Sequence, residues 1–127
     1  MTLNLKLCGM SQESILKTKS FNFAVRTIKL YQYLKKKYGE YEIAQQVIRA
    51  GTSIGALVRE AEFAESRKDF IHKLYIGLKE ANEVNYWLEL LYATEYINKK
   101  MFDSMKKDAG EILKMLVSSV KTVKRAI

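Results

Sequence analysis

Lysine and arginine residues recur at helical spacing in the first and last parts of this 127-residue sequence. In the first part, one helical face carries Asn22, Tyr33 and the cations Lys19, Arg26, Lys29 and Lys36. In the last part, lysines lie seven residues apart at Lys100, Lys107, Lys114 and Lys121, and Lys124 continues the line. Such stripes can bind phosphates without reading bases, so they predict a salt-sensitive nucleic-acid surface. Two alternatives stay open, because lysine stripes can also be solvated helix faces or can neutralise acidic helices of neighbouring subunits.

Residues suited to catalysis or metal binding are few. The sequence has one histidine, His72, and one cysteine, Cys8. A carboxylate-bridged metal site in a helical bundle needs Glu-x-x-His pairs, and the sequence has none. Ser53 has no neighbouring base in the sequence that would activate its hydroxyl group. We therefore predict no enzymatic activity, no metal and no cofactor, and we expect His72 to face solvent or to cap a helix.

Charge is unevenly distributed along the chain, whose net charge is +8. Residues 1–37 carry eight basic residues against one acidic residue, and residues 98–127 carry eight against three. The segments between them carry more acidic than basic residues. Two strongly basic segments favour an acidic partner such as nucleic acid.

Length and composition predict a single domain without a membrane segment. The 127 residues suffice for one core, 48% of them are hydrophobic, and the absence of proline is typical of long helices. No run of eighteen apolar residues is present, so we expect no membrane partner, and the N-terminus lacks the apolar stretch of a signal peptide. A single cysteine cannot form an internal disulfide, and we expect a cytoplasmic protein.

Apolar spacing predicts four helices, at residues 19–38, 41–65, 67–96 and 99–125. Gly39 is placed to end the first helix and Asn98 to cap the last. Because the connections are short, neighbouring helices should run antiparallel. The predicted fold is all-α, an up-down-up-down antiparallel four-helix bundle of residues 19–127, preceded by a flexible tail of residues 1–18.

Apolar residues cover more than one side of the predicted helices. The main stripe of the first helix is Phe21, Val25, Ile28 and Tyr31, and Phe23, Leu30 and Leu34 add apolar surface on a second side. The main stripe of the third helix is Ile71, Leu74, Leu78, Ala81, Asn85, Leu88 and Tyr92. A second stripe of the third helix consists of Phe70, Gly77, Val84 and Leu91, and the second helix also has two stripes. A single core does not require this much apolar surface, so we expect a homo-oligomer that buries the remainder. A broad core face is the alternative.

The stretch "GTSIGA" places Gly51 and Gly55 four residues apart inside the second predicted helix. Each interior glycine costs about 1 kcal/mol of helix stability relative to alanine, so a packing role is expected in return. Close approach of two helices is the favoured interpretation, and contact of the exposed backbone with a ligand is the alternative.

Four polar or aromatic residues in the middle of the chain also suggest roles. Ser66 and Asp69 are spaced as a capping box for the third predicted helix. Asn85 falls on a core stripe, where a polar residue can fix register or oligomeric state. Trp87 lies off that stripe and is a candidate anchor of a subunit interface.

The motifs "GTSIGA", "REA", "SRKDF", "GLKEA" and "YWL", in this order and spacing, resemble the bacterial four-helix-bundle family that includes the 23S rRNA intervening-sequence proteins. The segment "KSFNFAVRTIKLYQYL" is similar to the opening helix of that family, so the resemblance extends from Lys19 onward. It implies a ring of subunits, most often a homopentamer, without enzymatic activity. One branch of the family assists the reverse transcriptases of diversity-generating retroelements and is thought to bind nucleic acid.

The resemblance also assigns roles to individual positions. Glu60, Asp69 and Glu80 match acidic positions of the family, and we expect ion pairs or helix caps there, with Glu60 pairing with Arg59 or Arg67. Leu57 stands where the family commonly has asparagine, so we expect an apolar packing site and a candidate oligomer contact.

The sequence and the resemblance together predict a non-catalytic, oligomeric protein that binds nucleic acid, with RNA preferred. The alternative is a scaffold whose basic surface docks another protein, such as a reverse transcriptase. Salt-sensitive binding to bare RNA favours the first hypothesis, and binding only to an acidic protein favours the second. An enzyme would require a metal or substrate site that the sequence does not predict.

Overall fold

The computed structural model describes residues 12–126. Within that range the chain forms α1 (Gln12–Tyr38), α2 (Glu42–Glu62), α3 (Arg67–Ala93) and α4 (Lys99–Ala126), and no strand. The prediction of an all-α protein with four helices is therefore confirmed. None of these helices has an apolar stretch that could span a lipid bilayer.

The helices pack in chain order: α1 against α2, α2 against α3 and α3 against α4, while α4 also contacts α1. The Lys17 ammonium, near the start of α1, lies 3.0 Å from the Glu62 carboxylate at the end of α2. Tyr92 near the end of α3 stacks on Phe102 near the start of α4, with ring centroids 4.5 Å apart. The shared core is formed by aliphatic side chains from every helix together with Phe23.

The first helix begins earlier than the sequence predicts. α1 starts at Gln12 rather than at residue 19, so the predicted boundary between tail and domain at residue 18 is wrong for residues 12–18. Leu16 is only 3% exposed and belongs to the core, which explains why the helix extends this far. Residues 1–11, including Cys8, lie outside the described part of the chain.

The buried face of α1 also differs from the predicted one. Phe21 and Ile28 are 54% and 39% exposed, so the predicted apolar stripe does not face the core. The buried side chains are instead Leu16, Ser20, Phe23, Thr27, Leu30 and Leu34. Ser20 and Thr27 tolerate burial because their hydroxyls donate hydrogen bonds within α1, to the carbonyl oxygens of Lys17 and Ala24. The second apolar side of the predicted helix, with Phe23, Leu30 and Leu34, therefore faces the core, whereas Phe21 and Ile28 of the main stripe face outward.

In α3 the two predicted stripes merge into one core face. Its buried residues are Leu74, Gly77, Ala81, Val84, Leu88 and Leu91. Gly77, Val84 and Leu91 belong to the second predicted stripe, which a single core was not expected to bury. Tyr92, which belongs to the main stripe, is 38% exposed. The broad core face, which the sequence left open as the alternative, is what α3 adopts. The exposed apolar surface lies mainly elsewhere, and Phe21, Ile28 and Phe63 are among its largest members.

Gly51 lies where α1 and α2 approach each other. A Cβ atom built on Gly51 would lie 2.4 Å from Thr27 Cγ2 and 2.9 Å from Thr27 Cβ, both too close for a real contact. A Cβ atom on Gly55 would lie 3.5 Å from the Ser20 carbonyl oxygen, an ordinary contact distance. The two glycines therefore differ: only Gly51 is sterically required.

The connections between helices use specific local conformations. Gly39 ends α1 with a φ of 66°, and Glu95 in the α3–α4 connection has a φ of 67°, a left-handed conformation that is uncommon outside glycine. Before α3, Ser66 Oγ accepts the backbone N–H of Asp69 at 3.0 Å, and Asp69 Oδ2 accepts the N–H of Glu65 at 3.1 Å. The predicted cap by Ser66 is thus present, while the Asp69 carboxylate accepts from Glu65 and not from the N–H of Ser66 as in a regular capping box. α2 and α3 each end three residues earlier than predicted.

We predict that Gly51→Ala lowers the free energy of unfolding by about 1–2 kcal/mol in urea denaturation. Overpacking costs roughly 1–3 kcal/mol, and the better helix propensity of alanine returns up to about 1 kcal/mol. The matched control is Gly55→Ala, which should be neutral or stabilising by up to about 1 kcal/mol because its new methyl group meets no atom closer than 3.5 Å. Equal effects of the two substitutions would contradict the steric role of Gly51.

Candidate nucleic-acid interface

The outward face of α4 carries a line of lysines. Lys100, Lys107, Lys114 and Lys121 are all exposed and lie opposite the buried side of the helix. Their seven-residue spacing brings the four ammonium groups onto one face at intervals of about 10.5 Å, given a rise of about 1.5 Å per residue. Among the described residues, none of these four lysines forms an ion pair. The arrangement is a line of exposed lysines at regular intervals along α4, with Asp103 and Glu111 one turn to either side of Lys107.

The four cations of the α1 stripe fall into two pairs with different surroundings. Lys19 Nζ lies 3.1 Å from Glu111 Oε1, and the Arg26 guanidinium forms an ion pair with Asp108 and donates to Ser104 Oγ at 2.8 Å. These cations hold α1 against α4 and are largely neutralised by the acids they contact. The other two, Lys29 and Lys36, are exposed and form no ion pair within residues 12–126. The four positions predicted to share one binding face therefore do not act as one surface.

Lys124 also departs from the predicted line. Its ammonium group lies 4.9 Å from the centroid of the Tyr75 ring and donates a hydrogen bond of 2.8 Å to the Tyr75 hydroxyl. This contact directs Lys124 towards α3 instead of along the outward face of α4. Its role is at least partly the packing of α3 against α4.

The acidic positions lie mainly between α2 and α3. Glu80 lies 3.3 Å from Arg49, which also forms an ion pair with Glu83. Glu60 pairs with Lys73 at 3.4 Å, a contact across the interface between α2 and α3. These groups are partly or largely exposed, and each such pair contributes about 0–1 kcal/mol.

The candidate oligomer positions make contacts within the chain. Leu57 is half-buried, with its Cβ atom 4.0 Å from the position of a Cβ built on Gly77 of α3. Trp87 is half-buried and donates from Nε1 to Glu83 at 2.9 Å. Asn85 is half-buried, and its buried Oδ1 atom has no hydrogen-bond donor among the described residues. Leu57 thus packs between α2 and α3, as the loss of an amide at that position suggested.

The side chains that could take part in catalysis are hydrogen-bonded within their own helix or do not converge on one site. The Ser53 hydroxyl donates to the Arg49 carbonyl oxygen of its own helix at 2.7 Å. His72 is exposed. In the part of the chain that the structure describes, no three His, Cys, Asp or Glu side chains converge as a metal site.

The sequence analysis missed a group of aromatic residues at the end of α1. Tyr38 contacts Tyr33 and Tyr96 edge-on, with ring centroids 6.4 and 5.1 Å away. The Lys37 ammonium lies 5.3 Å from the centroid of the Tyr38 ring, and its hydrogen bond to the Tyr33 hydroxyl raises the pKa of Lys37. The signal in the sequence is the adjacency of lysine runs and tyrosines in "YLKKKYGEY" and "YATEYINKK".

Comparisons with known proteins place this architecture in a family. The family model described as 23S rRNA-intervening sequence protein matches residues 12–118, a match that begins where α1 begins. A crystal structure of a protein from Bacteroides thetaiotaomicron, assigned to the S23 ribosomal protein family and of unknown function, is 53% identical in sequence. The similarity covers 84% of this chain and 98% of that one, with a TM-score of 0.83. None of the curated proteins matches. The chain belongs to the family of 23S rRNA-intervening sequence proteins.

Proposed function

We propose that this protein is a non-catalytic, oligomeric nucleic-acid-binding protein, with RNA as the preferred ligand. The observation that carries the proposal is the line of exposed lysines on α4, none of which is neutralised by a carboxylate of residues 12–126. Membership of a family named for sequences within ribosomal RNA makes RNA the first ligand to consider. The cytoplasm is the expected compartment, and this stays a prediction.

The proposed arrangement of the four helices is an up-down-up-down antiparallel bundle. Its support is the order of contacts between neighbours, in which residue numbers rise in one helix as they fall in the next. Arg49 contacts Glu83, whereas Glu60, further along α2, contacts Lys73, earlier in α3. In this arrangement the lysines of α4 form a stripe parallel to the long axis of the bundle.

Phosphate binding by α4 would be sequence-independent. Lysine is a flexible point charge that binds phosphate without the bidentate geometry of arginine. Lys100, Lys107, Lys114 and Lys121 are the proposed contacts, with Lys29 and Lys36 of α1 contributing on a neighbouring face. Lys19 and Arg26 are proposed to position α1, because Glu111 and Asp108 already hold them.

The proposed oligomer is a ring of copies of this chain, with five as the number that the family resemblance implies. The exposed apolar residues of α1 and the end of α2 support such an assembly, since Phe21 and Phe63 are 54% and 84% exposed. The Arg59 guanidinium lies 5.8 Å from the centroid of the Phe21 ring and links α2 to this face. Repetition of the α4 stripe around a ring would multiply the positive field.

The alternative function is a scaffold that docks another protein. It is supported by the outer face of α3, where exposed Tyr86 contacts half-buried Trp87 with ring centroids 5.0 Å apart. Tyrosine and tryptophan are enriched in protein interfaces. In this case the α4 lysines would attract an acidic protein, such as a polymerase with a negative surface.

We predict that Lys114→Gln combined with Lys121→Gln weakens binding to structured RNA and reduces the salt dependence of the affinity. Each lost phosphate contact lowers the slope of log K against log salt by about 0.9 for a B-form DNA duplex and about 0.7 for single strands, so the slope should fall by roughly 1.4–1.8. Fluorescence anisotropy across a salt series measures both quantities.

The matched control removes the same charge from α3, by Lys68→Gln with Lys79→Gln, two exposed lysines away from the α4 face. The control should leave the slope within error of the wild-type value. Equal losses in both double variants would show a dependence on net charge alone and contradict an α4 interface. No binding to RNA or DNA even at low salt would leave the protein scaffold as the better hypothesis.

We predict that Phe21→Asp separates the oligomer into single chains without unfolding them. A carboxylate at this position would be desolvated in an apolar interface, and such burial costs several kcal/mol even with the Arg59 guanidinium nearby. Light scattering after size-exclusion chromatography should show one chain of 14.7 kDa for the variant and a multiple of this mass for the wild type. Tyr75→Asp, an exposed aromatic on another face, should retain the wild-type mass. A wild-type protein that is already monomeric would rule out the proposed assembly.

A further inference from the structure

The end of the molecule where α1 stops and α3 connects to α4 carries a groove of about 300 Å³. Its walls include four tyrosines with a lysine and an asparagine, namely Tyr33, Lys37, Tyr38, Tyr92, Tyr96 and Asn98. This volume lies at the lower limit of roughly 300–1,000 Å³ for small-molecule sites, so the groove suits one flat group better than an extended ligand. Its walls contain none of the four α4 lysines described above, although Lys100 lies in the adjoining first turn of α4.

The tyrosine rings are arranged as a platform with accessible surfaces. Tyr38 is 45% exposed, and its edge-on contacts with Tyr33 and Tyr96 have interplanar angles of 85° and 83°. Tyr92 stacks on Phe102 with an interplanar angle of 11°, which leaves the opposite face of its ring uncovered by Phe102. A planar group that entered the groove could extend this stack.

Positive charge surrounds the platform. The last turn of α1 contains Lys35, Lys36 and Lys37, and the first turn of α4 contains Lys99 and Lys100. Four carboxylates lie in the same region, and one of them is Glu42 in the first turn of α2. Glu95 lines the groove, Asp103 is paired with Lys99 at 2.6 Å, and Glu40 accepts the backbone N–H groups of Ile43 and Ala44 at the start of α2. Lys36 and Lys100 remain without an ion-pair partner among the described residues, so the region keeps an excess of positive charge.

The groove is formed by well-anchored turns. Ile97, which follows Tyr96, is 3% exposed and belongs to the core. The backbone N–H groups of Tyr96 and Ile97 both donate to the Leu91 carbonyl oxygen, at 2.9 and 3.4 Å. Because these contacts fix the turn before a ligand arrives, binding would require little ordering of the backbone.

We propose that this groove binds an unpaired nucleotide of single-stranded nucleic acid, whose base stacks on Tyr38 or Tyr92 while neighbouring phosphates contact Lys36, Lys37 and Lys100. The inference rests on the proposed nucleic-acid-binding function and adds a preference that the α4 stripe does not supply. Lysines on a helix face bind the phosphates of single strands and duplexes alike. An aromatic platform selects unpaired bases, because a base within a duplex has both faces covered by its neighbours.

The test compares a fluorescein-labelled single-stranded RNA with a hairpin RNA of the same nucleotide number, whose two strands are joined by a non-nucleotide linker in place of an unpaired loop, using fluorescence anisotropy. Tyr38→Ala should weaken single-strand binding by at least about 5-fold, since stacking contributes roughly 1–3 kcal/mol per base. The same variant should change hairpin binding by less than about 2-fold and leave the salt dependence unaltered, because no charge is removed. Tyr38→Phe keeps the ring and should retain single-strand affinity.

The matched control is Tyr86→Ala, which removes an exposed tyrosine of α3 outside the groove and should not change either affinity. If Tyr38→Ala reduces the helical circular dichroism signal, Tyr92→Ala provides the second test with the same expectation. Photo-crosslinking of wild-type protein to RNA that contains 4-thiouridine should place the adduct on a peptide that lines the groove.

Three results would overturn the stacking site while the proposed function stands. These are equal losses for single strand and hairpin, no loss for either, or crosslinks confined to α4. An equal loss from Tyr38→Phe would assign the effect to the hydroxyl group and also refute stacking. Absence of binding to every RNA tested at low salt would instead overturn the nucleic-acid function itself, together with this inference.

Discussion

The close contact between Gly51 and Thr27 sets the orientation of α1, and the positions of many other groups depend on it. Thr27 is fully buried because its hydroxyl donates to the Ala24 carbonyl oxygen and because Gly51 has no side chain to exclude it. With Thr27 directed inward, Phe23 and Leu34 enter the core, and Phe21 is directed to the surface. The same rotation directs the cations of α1 partly towards α4 and partly towards solvent. One missing methyl group on α2 thus determines which cations of α1 are available to a ligand.

Cations with similar spacing in the sequence have different surroundings in the structure. Arg26 and Lys19 face Asp108 and Glu111, whereas Lys107 and Lys114, on the same helix as those two acids, face outward. Asp108 and Glu111 reach the cations of α1, whereas Asp103 and Glu111 also lie one helical turn to either side of Lys107. One helix therefore carries both an attractive contact with α1 and a line of exposed lysines interspersed with acids.

Sequence patterns predicted the structural features that depend on residues close together in the chain. The four helices, the Ser66 cap and the termination at Gly39 follow from spacing and from local hydrogen bonds, so sequence was sufficient for them. Hydrophobicity alone did not decide between the two apolar sides of α1, because the buried side includes Thr27 and Ser20, whose hydroxyls are satisfied within the helix. The ion pairs between α1 and α4 and the tyrosine groove join residues more than fifty positions apart, and single-sequence patterns carry no information on such pairings.

The ion pairs between α1 and α4 also bear on how the fold opens. α1 packs less closely on α4 than on α2, and the cross-links between them are the partly exposed pairs of Lys19 and Arg26. Exposed charge pairs weaken as salt shortens the Debye length, whereas the aliphatic contacts between α2 and α3 are insensitive to that screening. Partial unfolding should therefore begin at this seam, the interface between α1 and α4. The free energy of that local unfolding should decrease as ionic strength rises. In hydrogen exchange, amides along this seam would respond to the buffer while those of α2 and α3 report the stability of the whole domain.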